Sequence, residues 1–321
     1  MKKYIFKRIL WLIPSIIIVS FLVFYLMDLA PGTIVDQMIS GDMTQEEIDQ
    51  LYRQYDLDKP VIYRYGKYML GLLKGDLGKS QISGVSVWRE FIKRFPNTLI
   101  LSIGGLIVAS IIAIPLGIFA AKHAGSIWDN LSTTFTLFGM SMPGFWLGLL
   151  LILWFAYRIR IFPVGGASSL KSFVLPIIST SLVMMATTAR QTRSSMLDNL
   201  RADYLRTARA KGVPERDVIN KHALKNAWIP IITSIGAGLS RTLAGSAVIE
   251  TVYSFPGVGK LTVDAVTSRD VTMATGCIIL TTIIYVLMLL LVDVMYAFVD
   301  PRIKAQYASG SSRRKKGQVA G

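Results

Sequence analysis

Two segments of this chain set a glycine beside a lysine in the manner of a phosphate-binding loop, GDLGKS at residues 75–80 and FPGVGKL at 255–261. Cradling a nucleotide's phosphates on backbone N–H groups needs Gly-x4-Gly-Lys followed by Ser or Thr, the first glycine closing the loop around the anion. In the first segment Leu73 stands where that glycine belongs; in the second Ser254 takes its place and Leu261 replaces the hydroxyl that would face magnesium. Neither segment encodes a nucleotide site. Any ATP and magnesium chemistry linked to this protein belongs to another chain. Cys277 is the sole cysteine, so no internal disulfide or thiol pair exists. His123 and His222 fall in different polar stretches without a carboxylate or thiol cluster, so no metal site, no bound cofactor and no catalytic group is expected.

The remaining candidates for chemistry are charges inside apolar sequence. Arg241 would cost on the order of 2.5 to 3.5 kcal/mol at mid-bilayer on insertion scales, so it must face protein or water rather than lipid. Two readings stay open for it: snorkelling to a surface, or a place in a polar translocation path. Asp293 is a candidate partner, but at about 1.5 Å of rise per residue the two lie at different depths, which favours a bond from Asp293 to a neighbouring helix.

The elements that must position these groups are membrane spans. Hydrophobic residues make up 52% of the chain and charged ones only 17%, too apolar for a domain that meets water all round. Charge-poor runs cover residues 9–29, 98–121, 131–157, 172–189, 226–250 and 271–299, each near the ~20 residues that cross a hydrocarbon core of roughly 30 Å. The expected fold is an all-α membrane protein with six transmembrane helices and a helical segment on the outer face after the first. Its parts are a retained signal-anchor helix (1–30), the outer segment (31–97), the main transmembrane domain (98–300) and a basic tail (301–321). Thr44 with Glu47 forms a capping box, and Asp58 with Pro60 starts a second helix in the outer segment. Pro14, Pro115, Pro143, Pro176 and Pro230 fall in or near spans, where kinks are tolerated. Small residues from Gly236 to Ala247 let the fifth span approach its neighbours closely.

Lys2, Lys3, Lys7 and Arg8 precede the first span, and Arg302, Lys304 and 313–316 follow the last, which places both termini in the cytoplasm. Most of the net charge of +15 is thus topological, and no aromatic platform interleaves it, so nucleic acid is not a partner. The tail is expected to meet anionic lipid.

The polar connection at 190–225 carries nine basic and four acidic residues and is too long and too patterned for a turn. Leu197, Leu200, Tyr204, Leu205 and Ala208 share one face at helical spacing, while Arg201, Arg206 and Arg209 project elsewhere. Gly212 ends that helix; Pro214, Glu215 and Asp217 begin another. Two short amphipathic helices beside a bilayer need lipid headgroups or a docked protein to cover their apolar face.

This connection resembles the coupling motif of binding-protein-dependent ABC importer permeases, Glu-Ala-Ala, three residues, Gly, nine residues, Ile-x-Leu-Pro. Ala208, Gly212 and Leu224 match it; Arg206 stands for the Glu, Thr207 for the first Ala, and His222 and Lys225 for the terminal Ile and Pro. RTARAKG followed by HALKN, together with GDLGKS, LAPG at 29–32 and ETVYSFPGVGKL at 250–261, looks like the oligopeptide, dipeptide and nickel subgroup. The resemblance implies a type I permease fold. It also implies a second homologous permease subunit, two ATPase subunits below, and an extracytoplasmic solute-binding protein that delivers a peptide above. Tyr204, Leu205, Arg206, Thr207, Ala208, Arg209, Gly212, Val213, Pro214 and Glu215 would then form the ATPase-coupling element, their apolar stripe seated in an ATPase groove. Arg241 and Glu250 would line the path or its gate, and Phe255, Pro256, Gly257 and Gly259 would meet the binding protein. Two alternatives stay open for that outer turn: a Pro-Gly cap on the fifth span, with Glu250 holding backbone N–H groups, or Glu250 contacting a charged amine of the solute. A nickel-chelate or oligosaccharide permease of the same family is the other substrate reading. An ion-coupled carrier is the rival outside the family; it would not need the basic loop.

Overall fold

The computed structural model describes residues 2–39 and 43–299, without the side chains of 2–5, 7, 8, 244, 245, 293 and 295–299. The basic tail and the side chain of Asp293 therefore lie outside the described residues. Everything described is helix, turn or loop apart from one isolated bridge between Lys79 and Ser86.

The apolar first run forms α1 (Lys2–Leu29), with Pro14 inside it. Three short helices follow, α2 (Ile34–Met38), α3 (Gln45–Gln54) and α4 (Val61–Leu73). Thr33 and Thr44 each cap their helix with a reciprocal box, through Asp36 and Glu47, which satisfies amides that otherwise have no intrahelical partner. The cap helices are tied down by α4, whose Tyr65 packs edge-on to Phe21 and Phe24 of α1 and bonds Ser20 at 3.0 Å. The GDLGKS segment has a structural task. Asp76 accepts from the Gly78 amide at 2.8 Å, and the Ser80 hydroxyl donates to buried Asp270, which also accepts the Gln81 and Met273 amides.

The second run begins earlier than its apolar composition suggests: α5 (Val87–Lys122) continues through Pro96 and Pro115. It packs along α8 (Lys171–Leu200), the spine of the bundle. Contact is so close that a Cβ on Gly117 would lie 2.5 Å from Thr192 Cβ and 2.6 Å from the Ala189 carbonyl oxygen. Between them in sequence, the expected single span at 131–157 is divided. α6 (Ile127–Ser141) and α7 (Gly144–Leu151), the latter continuing as a π-helical stretch over Ile152–Arg158, meet at a 93° bend. Pro143 sits at that break in extended backbone and cannot carry the helix across.

After α8 come α9 (Asp203–Ala210), α10 (Glu215–Asp217), a π-helical stretch over Val218–Ala223 and α11 (Leu224–Gly245). The expected fifth span at 226–250 is also interrupted, at Ser246, before α12 (Ala247–Val252); α13 (Val258–Thr267) and α14 (Val271–Val299) complete the chain. Among the described residues, α1, α5, α8 and α14 contain segments long and apolar enough to cross a membrane, and the bent α6–α7 pair makes a fifth if read as one broken span. α11 stands outside that group because Gly236, Gly238, Ser240, Arg241 and Thr242 dilute its apolar residues.

Candidate functional site

The bundle has two working ends and a cleft between them. At one end lies the 190–225 connection. The single helix expected from Leu197 to Arg209 is two: α8 runs on to Leu200, the chain breaks at Arg201 and Ala202, and α9 starts at Asp203. α9 then closes in a Schellman turn. The Val213 amide bonds the Ala208 carbonyl at 3.3 Å and the Gly212 amide bonds that of Arg209 at 2.9 Å. Gly212 takes φ +77°, the left-handed backbone that a side chain would strain. Pro214 precedes α10 as its cap residue, and Arg209 grips Glu215 across the turn with two bonds of 3.0 and 2.8 Å. That guanidinium holds the Glu215 carboxyl below the usual glutamate range.

The apolar stripe does not face outward. Leu205, Val218, Ile219 and Ala223 are buried with Ala121 of α5, Met196 of α8, and Ala227 and Ile231 of α11; Leu197, Leu200, Ala208 and Val213 pack against that cluster. The expectation that this stripe fills a partner's groove is therefore corrected: the chain covers it with its own helix ends, because three long helices terminate there with apolar residues to spare. The exposed face includes Asp203, Tyr204, Arg206, Thr207, Arg209, Ala210, Lys211, Gly212, Pro214, Glu215 and Arg216, with Asp203 3.6 Å from Arg206. Backbone from Glu215 through Gly245 is helical without interruption, α then π then α, so the turn is rigidly continuous with α11.

Nearby, Arg193 of α8 makes a bidentate pair with Asp129 of α6 at 2.5 and 2.7 Å. Asp129 has only 3% of its side chain exposed and also accepts the Gly125 amide. The two are 64 positions apart, and no local pattern announces the pairing.

At the opposite end, Glu250 is fully buried. Its carboxylate accepts from Thr98 and Ser246 hydroxyls at 2.7 Å each and from the Lys260 amide at 2.8 Å, capping α13 from another helix. Thr98 in turn accepts the Val258 amide at 2.9 Å. Close approach explains the two glycines: a Cβ on Gly257 would sit 2.3 Å from Glu250 Cδ, and one on Gly259 2.6 Å from Ala247 Cα. Of the two roles open to Glu250, the geometry supports holding the turn, since no part of its side chain reaches a surface. Phe255 is likewise buried, edge-on to Phe173 at 5.0 Å, and Gly257 is buried with it. The part of this turn left for any outside contact is Ser254, half-buried Pro256 and the half-buried backbone at Gly259.

Arg241 is exposed and lines a cleft of about 410 Å³ where α7, α8, α11 and α12 converge. The structure thus brings Arg241 together with Ser179, Thr180, Thr242 and Ser246, and keeps it apart from Glu250, which it buries on the far side of Ser246.

Comparison with known proteins shows the family. The family model described as binding-protein-dependent transport system inner membrane component matches residues 113–305, and that of the N-terminal membrane component matches 1–102. The glutathione transport system permease protein GsiC of Escherichia coli is 39% identical over 305 residues, covering 95% of this chain and 99% of the relative. The dipeptide transport system permease protein DppB of Escherichia coli is 36% identical, with the same coverage. In fold, the chain is similar to the MetNI methionine ABC transporter in its inward-facing conformation, with a TM-score of 0.57 and 16% identity over 65% of this chain and 96% of that one. With the helical bundle, the glycine-turned loop and two family models that match residues 1–102 and 113–305, the chain belongs to the membrane permease subunits of binding-protein-dependent ABC importers, whose ATP hydrolysis resides in separate subunits.

Proposed function

We propose that this chain forms half of the path by which a peptide-type solute crosses the inner membrane, paired with a second, distinct permease of the same family. The observation that carries the reading is the similarity to glutathione and dipeptide permeases along 95% of the chain. In this reading the bundle crosses the membrane six times, α6–α7 and α11–α12 each counting once. Both termini and the 190–225 connection face the cytoplasm, as the Lys and Arg distribution supports. The exposed basic face of α9 and its turn docks one ATPase subunit, and that subunit's contact surface carries acidic groups to match Arg206, Lys211 and Arg216. Nucleotide-driven movement reaches α11 through the unbroken helical backbone from Glu215, and shifts the bundle between two states by the difference in ATPase affinity for each. At the outer end a solute-binding protein meets the cap helices and the turn at Ser254 and Pro256.

The test is reconstitution. Purified in mild detergent, the chain should bring a second permease and two ATPases with it, and liposomes holding the assembly should take up dialanine or glutathione only with ATP and the binding protein. Uptake by this chain alone without ATP would favour an ion-coupled carrier instead.

A further inference from the structure

The cleft beside Arg241 has the composition of a site rather than of a packing defect. Arg241 is its one charged residue among those that line it, on a helix whose neighbouring positions are small or apolar. Among the described residues it has no ion-pair partner. A guanidinium held within a membrane bundle without a carboxylate demands an anion or water. Around it stand hydroxyls from three directions: Ser179, Thr180 and Thr187 of α8, Thr242 of α11, and Ser246 at the α11–α12 joint. Ser179, Thr187, Thr242 and Ser246 give their protons to protein acceptors or share them with Tyr253, while the Thr180 hydroxyl is buried without a partner among the described residues. Gly144 and Phe145 close one side, brought there by the 93° bend, and Val248 stands on the rim with 55% exposure. At about 410 Å³ the space falls in the roughly 300 to 1,000 Å³ range of small-molecule sites.

We infer that this cleft is a transit site for the cargo's carboxylate, with Arg241 as its counter-ion. The inference rests on the peptide reading above and adds the group of the cargo that the membrane path recognises. A planar guanidinium matches a carboxylate with two parallel N–H bonds, and every free peptide carries that group whatever its side chains. One fixed cation therefore serves many sequences. It sits on α11, the helix continuous with the 190–225 turn, so the same movement that follows nucleotide binding shifts the counter-ion and releases the cargo.

Two readouts on the full assembly in liposomes test this. Arg241→Gln should lower ATP-driven uptake of both dialanine and glutathione about tenfold, the loss of one charge-assisted contact, while the assembly and its nucleotide hydrolysis persist, and Arg241→Lys should restore much of it. In Val248→Cys, an anionic sulfonate methanethiosulfonate reagent should modify the rim faster than its cationic trimethylammonium counterpart, a preference that Arg241→Gln removes; Cys277 is buried and does not compete. Unchanged uptake in Arg241→Gln overturns the inference, and if the reagent preference disappears alongside unchanged uptake, the cation serves a lipid phosphate. Lost uptake with the preference intact also overturns it, as a packing effect. If the unmodified assembly imports neither probe, the peptide reading fails, and an absent reagent preference then removes the anion site as well.

Discussion

Thr98 and Glu250, 152 positions apart in sequence, share a 2.7 Å hydrogen bond in the buried core, and the same threonine accepts the first amide of α13. A motif that reads as a solute-facing loop is thereby a joint: it locks α5, α12 and α13 to one carboxylate, and its glycines exist to let that carboxylate in.

Glu250→Ala should strip partners from two buried hydroxyls and one helix-cap amide. At about 1 to 3 kcal/mol for each group left unsatisfied, the loss should reach roughly 3 kcal/mol or more. Thermal unfolding of the purified chain in detergent should show a clearly lower midpoint, with Glu250→Gln falling between. An unchanged midpoint in the alanine variant would mean that water replaces the carboxylate at no cost.

The Asp129–Arg193 pair should behave as a buried charge bridge. Arg193→Ala strands a carboxylate that is 3% exposed, at a cost of about 3 to 5 kcal/mol, whereas removing both partners leaves no unpaired charge and should cost less. Unfolding of the two single variants and the double variant makes the cycle; simple additivity would contradict the pairing.

Glu215 offers a pH test at the turn. Its carboxyl is held below the ordinary glutamate value by Arg209, and a depressed folded-state value means stabilisation that is present above the unfolded value and lost as pH falls through the folded one. The Arg209–Glu215 clasp should therefore survive acidification through the normal glutamate range and open only below it. Carboxyl carbon shifts of Glu215 in selectively labelled protein would report the midpoint. A midpoint at or above the ordinary value would show the clasp absent in solution.

Sidedness is checked by paired cysteines. Glu46→Cys, on α3, should react with a membrane-impermeant maleimide added to intact cells, and Arg206→Cys, on α9, only after permeabilisation. The reverse pattern would invert the topology.

Much of this was legible in the sequence because the signals are local. Apolar run length marks α1, α5, α8 and α14, Thr44 and Glu47 announce their capping box, and Gly212 followed by Pro214 announces the turn between α9 and α10. What was illegible depends on partners far away in the chain. Nothing near Ser80 points to Asp270, 190 positions on, so neither the phosphate-loop comparison nor the motif resemblance reveals what GDLGKS holds together. The stripe of Leu205 and Ala208 is equally amphipathic whether it meets a partner protein or, as here, the ends of α5, α8 and α11. Pro143 marked a disturbance, yet its 93° size follows from how α7 lies on α8 and α12, which composition does not encode. Arg241 was recognisable as costly; which side chains surround it was not.

The central claim is that the Gly212 turn transmits nucleotide-driven movement into the bundle. Proline fixes φ near −65°, against the +77° that Gly212 adopts, and removes the amide bonded to Arg209. The deciding measurement is ATP-driven uptake and substrate-stimulated ATP hydrolysis by the reconstituted assembly carrying Gly212→Pro. Coupling through this turn predicts that the variant inserts and assembles, retains basal hydrolysis, and loses both uptake and stimulation. Normal uptake with normal stimulation would contradict it.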